Sequence, residues 1–165
     1  MTYAIVYSSR TGNTGLLADT IRQALPAEQC LYFGAPAPDA TEADCIFAGF
    51  WTDKGACDAD TASFLRMLRN KKVFLFGTAG FGGSQEYFDK LLHLAERQLD
   101  SSNELIGTYM CQGKMPMSVR ERYVKMLSAP IHMANLEGMI ENFDRALSHP
   151  DQDDLDRLRK ALPAL

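Results

Sequence analysis

The sequence predicts an α/β fold, a three-layer sandwich around a five-stranded parallel sheet of order 2-1-3-4-5. Short apolar segments alternate with amphipathic ones through the first two thirds of the chain, which is typical of right-handed strand–helix–strand crossovers. Several of these segments are wholly apolar, as in strands covered on both faces. The 165 residues suit one domain with a full core. We expect a single domain over 1–165, with a helical extension at about 115–165.

The first strand and the first helix are the clearest pair of elements. An apolar run predicts a strand at Thr2–Tyr7. The helix is expected at Thr14–Ala24, where apolar side chains recur on one face, and Pro26 ends it.

The remaining elements follow from apolar periodicity. Runs of apolar residues predict further strands at Gln29–Phe33, Cys45–Gly49, Lys72–Gly77 and Leu105–Met110. Helical spacing predicts helices at Asp60–Arg69, Ser84–Leu99, Ser118–Leu127, Leu136–Leu147 and Asp151–Leu162. Ser84 is a plausible N-cap.

The composition excludes several classes of protein. A net charge of −4 argues against non-specific nucleic-acid binding. No apolar run approaches the roughly 18 residues of a membrane span, and the N-terminus lacks a secretion signal. The four cysteines form no Cys-x-x-Cys pair, so we expect reduced thiols, no metal site and a cytoplasmic location.

The loop Ser8–Thr14 joins the first strand to the first helix and has the chemistry of a phosphate site. Amides at a helix N-terminus point outward, and the helix dipole favours an anion there. Gly12 lets the backbone approach a ligand closely. Arg10 either pairs with the phosphate or a partner, or remains solvated. The expected side-chain donors are Ser9, Thr11, Asn13 and Thr14.

Two further loops, Phe50–Asp58 and Thr78–Gly83, follow buried strands and should lie at the same sheet edge. The second loop carries the only tryptophan, Trp51, and the third consists almost entirely of small residues around Phe81. A phosphate site flanked by aromatic rings suits a flat, phosphorylated aromatic cofactor. The Gly-Lys-Ser/Thr motif of nucleotide hydrolases is absent, and the glycines of the third loop break the dinucleotide fingerprint.

These motifs resemble those of the flavodoxin family. Ser9-Arg10-Thr11-Gly12-Asn13-Thr14 matches its flavin mononucleotide (FMN) phosphate loop, Gly49-Phe50-Trp51-Thr52-Asp53 resembles its ring-stacking loop, and Glu86-Tyr87-Phe88 follows the third loop. The similarity covers about Thr2–Met110 and implies a flavodoxin-like fold, non-covalent FMN and low-potential electron transfer. The implied FMN site comprises Ser9, Arg10, Thr11, Gly12, Asn13, Thr14, Phe50, Trp51, Thr52, Thr78, Ala79, Gly80, Phe81, Gly82, Gly83 and Cys111.

The chain departs from the family pattern at several positions. Gln85 stands where the second stacking aromatic is usual, so Phe81 either covers that ring face or leaves it open. Thr52 occupies the place of a glycine that flips its peptide on reduction, although positive φ is unfavourable for threonine. The segment Cys111–Lys114 should reach the same edge, where Gln112 and Lys114 contact the flavin or merely form an exposed turn. This subtype resembles flavodoxin-family proteins of anaerobic bacteria.

Three functions are compatible with the sequence. The first is an FMN-binding electron carrier with no catalytic residue of its own, served by a reductase donor and an acceptor enzyme. The second is an FMN-dependent oxidoreductase that acts directly on a quinone or other conjugated acceptor with NAD(P)H. The third is a binding module without flavin. The methionines clustered within Met110–Met139 either dock a partner, form a hydrophobic lid or fill the core. Charges at the cavity rim are expected at Asp53, Lys54 and Asp58.

Overall fold

The computed structural model describes residues 1–82 and 84–165. Five parallel strands form the sheet, and a sixth, short strand pairs with the end of the central one. The strands are β1 (Tyr3–Tyr7), β2 (Cys30–Gly34), β3 (Cys45–Asp53), β4 (Ala56–Cys57), β5 (Lys72–Ala79) and β6 (Glu104–Gln112). The parallel strands follow the order β2-β1-β3-β5-β6, which confirms the predicted order of five.

The strand β4 was not predicted. It pairs antiparallel with the end of β3, joining Thr52 to Cys57 and Asp53 to Ala56. Lys54 and Gly55 form the two-residue turn between them, both with positive φ, at 51° and 77°. Such turns match the twist of a hairpin. As a result β3 runs to Asp53, four residues beyond the predicted end at Gly49.

All six predicted helices are present, with ends that differ by a few residues. They are α1 (Asn13–Ala24), α2 (Ala59–Met67), α3 (Gln85–Glu96), α4 (Met117–Leu127), α5 (Leu136–Ala146) and α6 (Gln152–Ala161). Ser84 caps α3 as predicted, because its side chain accepts a hydrogen bond from the Tyr87 amide. Within the described part of the chain, no helix combines the length and apolarity that crossing a membrane requires.

Each face of the sheet has its own apolar core. On one face, Ile46, Phe50 and Leu75 are buried against residues of α2 and α3 such as Phe64 and Leu91. The other face buries Phe47, Phe74 and Phe76 together with Leu17 of α1 and Leu158 of α6. The last helix therefore shares the layer of α1, and the residues after β6 contribute directly to the sandwich.

Candidate functional site

The loops that follow the parallel strands enclose a cavity of about 430 Å³. The first loop contributes one wall, and the end of β3 with its hairpin contributes the second. Thr78, near the end of β5, and Gly80, just after it, line the floor of the cavity. A fourth wall comes from the segment after β6 and from α4, between Gly113 and Tyr123. The predicted meeting of loops at one edge is therefore confirmed, with a further wall from the C-terminal part.

The N-terminus of α1 opens on this cavity. Gly12 stands at the N-cap with φ of 90°, and no side chain among the described residues forms the usual N-cap hydrogen bond. The Ser9 hydroxyl accepts a hydrogen bond of 3.2 Å from the Gly15 amide. The amides of the first residues of a helix have no intrahelical partner. An anion at this turn would therefore meet both open N–H groups and the positive end of the helix dipole.

Thr14 and Phe50 have structural roles that differ from the predicted ones. The Thr14 hydroxyl donates to the Phe50 carbonyl over 3.2 Å and lies 3.1 Å from the Thr78 hydroxyl. It is buried and already engaged, so it is not a free donor for a phosphate. The Phe50 side chain is fully buried in the core. A Cβ added at Gly77 would lie 2.7 Å from this ring, which shows how closely the two are packed.

Asn13 also differs from its predicted role. Its side-chain amide donates a 2.8 Å hydrogen bond to the carbonyl of Lys114. That amide therefore fastens the fourth wall to the first loop, and the hydroxyls of Ser9 and Thr11 remain as the exposed polar side chains of the loop.

Trp51 is held at the cavity by its own backbone. Its amide donates to Asp58 Oδ1 over 3.3 Å, and its carbonyl accepts from the Asp58 amide over 3.1 Å. Asp58 is only 3% exposed and caps α2 through the Thr61 amide. The expectation of a solvent-facing charge at Asp58 is therefore wrong, because this carboxylate has three protein donors. On the ring itself, the Arg10 guanidinium lies 5.5 Å from the Trp51 centroid.

Thr52 lies in an extended strand and is fixed by its side chain. Its hydroxyl donates to the Thr78 carbonyl over 2.8 Å. The positive φ values of this region belong to Lys54 and Gly55, two and three residues further along. The turn with positive φ thus lies two to three residues beyond the position at which the family pattern places it.

The glycines of the third loop accommodate the protein's own C-terminal part. A Cβ added at Gly80 would lie 2.5 Å from the Met115 sulfur, and one at Gly82 would lie 2.9 Å from Cβ of Gln112. Gln112 and Asn142 both donate to the Gly80 carbonyl over 3.0 Å. The small side chains of this loop therefore permit an internal contact.

Three other predicted residues of the third loop, Ala79, Phe81 and Gly82, are not among the described residues that line the cavity. Ala79 is buried in the core, Phe81 is 41% exposed, and neither is among the described lining residues. Gly82 is also absent from the described lining, and Gly83 lies outside the described residues. Of the predicted positions in this loop, Thr78 and Gly80 reach the cavity.

Cys111 and Cys57 are both unsuited to a reactive role. Burial raises the pKa of the Cys111 thiol, the nearby Asp154 charge adds to this, and the residue is not among the described lining residues. Burial also raises the pKa of Cys57 to about 12, with a smaller effect of Asp58. Both thiols therefore remain protonated near neutral pH, and the place of Cys111 in the FMN site stays a prediction.

Sequence reasoning missed most of the fourth wall. Lys114 lines the cavity as considered, and Met115 was noted only as one of the clustered methionines, whereas Arg122 and Tyr123 were not singled out. Tyr123 is only 7% exposed and Arg122 is exposed. The only signal was the unusual length of chain after β6, because the position of α4 depends on long-range packing.

The cavity residues fit the chemistry of FMN. A phosphate would meet the amides of α1, the hydroxyls of Ser9 and Thr11, and the positive charge of Arg10. The indole of Trp51 offers an aromatic face in the same cavity. A volume of about 430 Å³ lies within the range of pockets for small organic ligands.

Comparisons with known proteins agree with this assignment. The model of the flavodoxin domain matches residues 4–163. The flavodoxin-like domain-containing protein BilS of Clostridium symbiosum (strain WAL-14163) is 42% identical, over 94% of this chain and 90% of its own. The protein of the same name from Clostridioides difficile (strain CD3) is 30% identical, over 92% and 88%.

Among solved structures, oxidised flavodoxin 2 from Bacillus cereus superposes with a TM-score of 0.55 and 20% identity. The match covers 88% of this chain and 99% of that one, which shows a shared fold. The chain therefore belongs to the flavodoxin family, whose cofactor is FMN.

Proposed function

We propose that this protein binds FMN non-covalently in the cavity and carries low-potential electrons from a reductase to a redox enzyme. The observation that carries the proposal is the opening of the α1 N-terminus, where the N-cap Gly12 has no side chain to bond the first amides, on the same cavity as the indole of Trp51. One end of the cavity thus suits a phosphate and the other an aromatic ring.

The phosphate end binds through backbone amides and hydroxyls. The first turn of α1 supplies N–H donors, and Ser9 and Thr11 lie in the cavity lining. Gly12 keeps the approach open, because a side chain is absent and its left-handed φ of 90° turns the chain into the helix. Arg10 adds a positive charge that offsets part of the phosphate charge.

The ring end positions the cofactor and excludes water. Trp51 presents its aromatic face, and Asp58 fixes the backbone that carries it. Met115 and Tyr123 cover the cavity from the C-terminal side. When bound, FMN supplies the electron-transfer chemistry, and the protein supplies binding, orientation and electrostatics.

The side chains of the cavity support a carrier. Within the described lining there is no histidine, cysteine or glutamate; the groups able to exchange a proton are Asp53, the exposed Lys54 and Lys114, and the buried Tyr123. A site built for proton transfer would need a general acid or base within hydrogen-bond reach of the substrate. Electron transfer between proteins requires only an accessible, well-held flavin.

One observation favours a second candidate, direct reduction of a quinone or other conjugated acceptor. Phe81 is not among the described lining residues, so the aromatic rings of the described lining are those of Trp51 and Tyr123. If Trp51 covers one face of the flavin, the opposite face remains accessible to a small planar acceptor.

Steady-state assays separate the two candidates. The purified protein is saturated with FMN and mixed with NADPH or NADH and menadione, with and without added ferredoxin–NADP reductase. A carrier should turn over slowly alone and rapidly with the reductase. Rapid turnover without the reductase would favour the direct oxidoreductase, and a protein that stays colourless in excess FMN would contradict both.

A further inference from the structure

We propose that the mouth of the FMN cavity docks a redox partner whose contact surface is acidic. This inference rests on the proposed function and specifies the partner. The surface concerned is a cationic rim, which we define as Lys54, Lys114 and Arg122. All three side chains are exposed and line the cavity.

The rim is assembled from three separate parts of the chain. Lys54 lies in the turn between β3 and β4, Lys114 follows β6, and Arg122 belongs to α4. Their common placement around one opening is a product of the fold, because the first and last of them are 68 positions apart in the sequence. Asp53 is the one carboxylate in the described lining that opposes these three charges.

Neighbouring charges leave the rim positive. Arg10 belongs to the phosphate loop and its guanidinium lies over the ring of Trp51, so it is not counted in the rim. Arg120 is paired with Asp144, with 2.8 Å between Nε and Oδ1, and is therefore not counted in the rim. Glu121 on α4 is exposed but is not among the described lining residues.

The sign of the rim is opposite to that of the whole molecule. The chain carries a net charge of −4, so the positive charges at the cavity mouth give the molecule an electrostatic polarity. A partner with an acidic surface would attract the cavity mouth and repel the negatively charged remainder of the molecule. The protein would therefore approach the partner with its flavin facing the contact surface. Such steering raises association rates by about tenfold to a thousandfold and weakens as salt screens the charges.

The experiment measures electron transfer from the reduced holoprotein to two small redox proteins of opposite charge. Rubredoxin serves as the acidic acceptor and cytochrome c as the basic one. Rates are recorded by stopped flow as ionic strength rises from about 0.01 M to about 0.15 M, over which the screening length falls from about 30 Å to about 8 Å. We expect the rate with rubredoxin to fall with salt and the rate with cytochrome c to stay level or rise.

A double charge reversal tests whether the rim causes this behaviour. Lys114→Glu with Arg122→Glu should lower the low-salt rate with rubredoxin at least tenfold and remove its fall with salt. The matched control is Lys72→Glu with Lys160→Glu, which makes the same change in charge. Lys72 begins β5 at the opposite sheet edge, and Lys160 lies in the last turn of α6. An FMN titration gives the cofactor affinity of each variant, and all rates are recorded at saturating FMN.

Two results would overturn the inference while the proposed function survives. One is a rate with rubredoxin that does not fall with salt in the unmodified holoprotein. The other is an equal loss of rate in the rim variant and its control. Failure to bind FMN, or to pass electrons to either acceptor at any salt concentration, would instead overturn the proposed function and the docking surface with it.

Discussion

The side-chain amide of Asn13 donates a hydrogen bond of 2.8 Å to the backbone carbonyl of Lys114, 101 positions further along the chain. The contact joins the first turn of α1 to the segment that follows β6. Gly113 packs against the same amide, since an added Cβ would lie 2.5 Å from Asn13 Nδ2. The phosphate loop and the C-terminal wall of the cavity are therefore coupled.

Asn13→Ala should weaken FMN binding as well as folding. Loss of this hydrogen bond is expected to lower the free energy of unfolding by about 1 kcal/mol, because a partly buried carbonyl loses its donor. It should also release the wall at Lys114 and raise the FMN dissociation constant several-fold. The control is Asn103→Ala, which removes donors to the Leu68 and Asp100 carbonyls and an acceptor for the Lys71 amide, at residues that do not line the cavity. Denaturant unfolding gives the change in stability of each variant, and FMN titration gives its change in affinity. If the coupling were absent, Asn13→Ala and Asn103→Ala would change the FMN affinity equally.

Gly12→Asp should nearly abolish FMN binding. The new carboxylate would stand at the N-terminus of α1, where the proposal places the phosphate, and two like charges there repel. Because φ of 90° strains any side chain, Gly12→Asn is the control with the same shape and strain but no charge. We expect FMN affinity at least tenfold lower for the aspartate than for the asparagine variant, equivalent to about 1.4 kcal/mol. Equal affinities in a fluorescence titration would refute the phosphate assignment.

The only tryptophan of the chain provides a direct reporter of ring stacking. Addition of FMN to the apoprotein should quench the fluorescence of Trp51, since the flavin would lie beside the indole. Trp51→Ala should weaken binding by about 1 kcal/mol or more and shift the reduction potentials, whereas Trp51→Phe should retain most of the affinity. Persistent fluorescence in a protein that has bound a full equivalent of FMN would contradict stacking on this ring.

The raised pKa of Cys57 predicts a loss of stability at high pH. The pKa changes from 9.0 to about 12 on burial, so the folded state keeps the thiol neutral where the unfolded chain ionises. The resulting stabilisation is complete below pH 9 and is lost as pH rises from 9 towards 12. Cys57→Ala should therefore reduce the fall in the free energy of unfolding between about pH 8 and about pH 11. An identical fall in the two proteins, measured by denaturant unfolding, would show that Cys57 does not contribute.

Local patterns were sufficient to predict most of the fold. The apolar runs around Phe47 and Leu75 mark strands covered on both faces, and their spacing with the helices determines the parallel order. The glycine at position 12 and the adjacent hydroxyls predicted an anion-binding turn, because that chemistry lies within one short loop. The hairpin around Lys54 was missed, since two residues of pairing leave almost no periodic signal.

Side-chain partners depended on contacts between distant parts of the chain. Asn13, Thr14 and Phe50 have the residue types of a ligand site, yet in the fold the Asn13 amide and the Thr14 hydroxyl bond to protein carbonyls and the Phe50 ring fills the core. Whether a donor faces a ligand or a carbonyl is set by the packing of other elements, which no local pattern records. Two glycines of the third loop, Gly80 and Gly82, likewise have protein neighbours that the local pattern did not show, because Met115 and Gln112 pack against them from beyond β6.

The sequence by itself determined the parallel sheet, the anion-binding turn after β1 and the aromatic residue near the end of β3. Each of these features depends on residues that are neighbours in the chain, so the local pattern is enough to predict it. Only the tertiary structure decided which donors remain open, that α4 supplies the fourth wall, and that the cavity mouth is positive on a negatively charged chain. These features depend on contacts between residues that are up to about a hundred positions apart in the chain. Such contacts form only when the folded protein buries its apolar surface and pairs its polar groups.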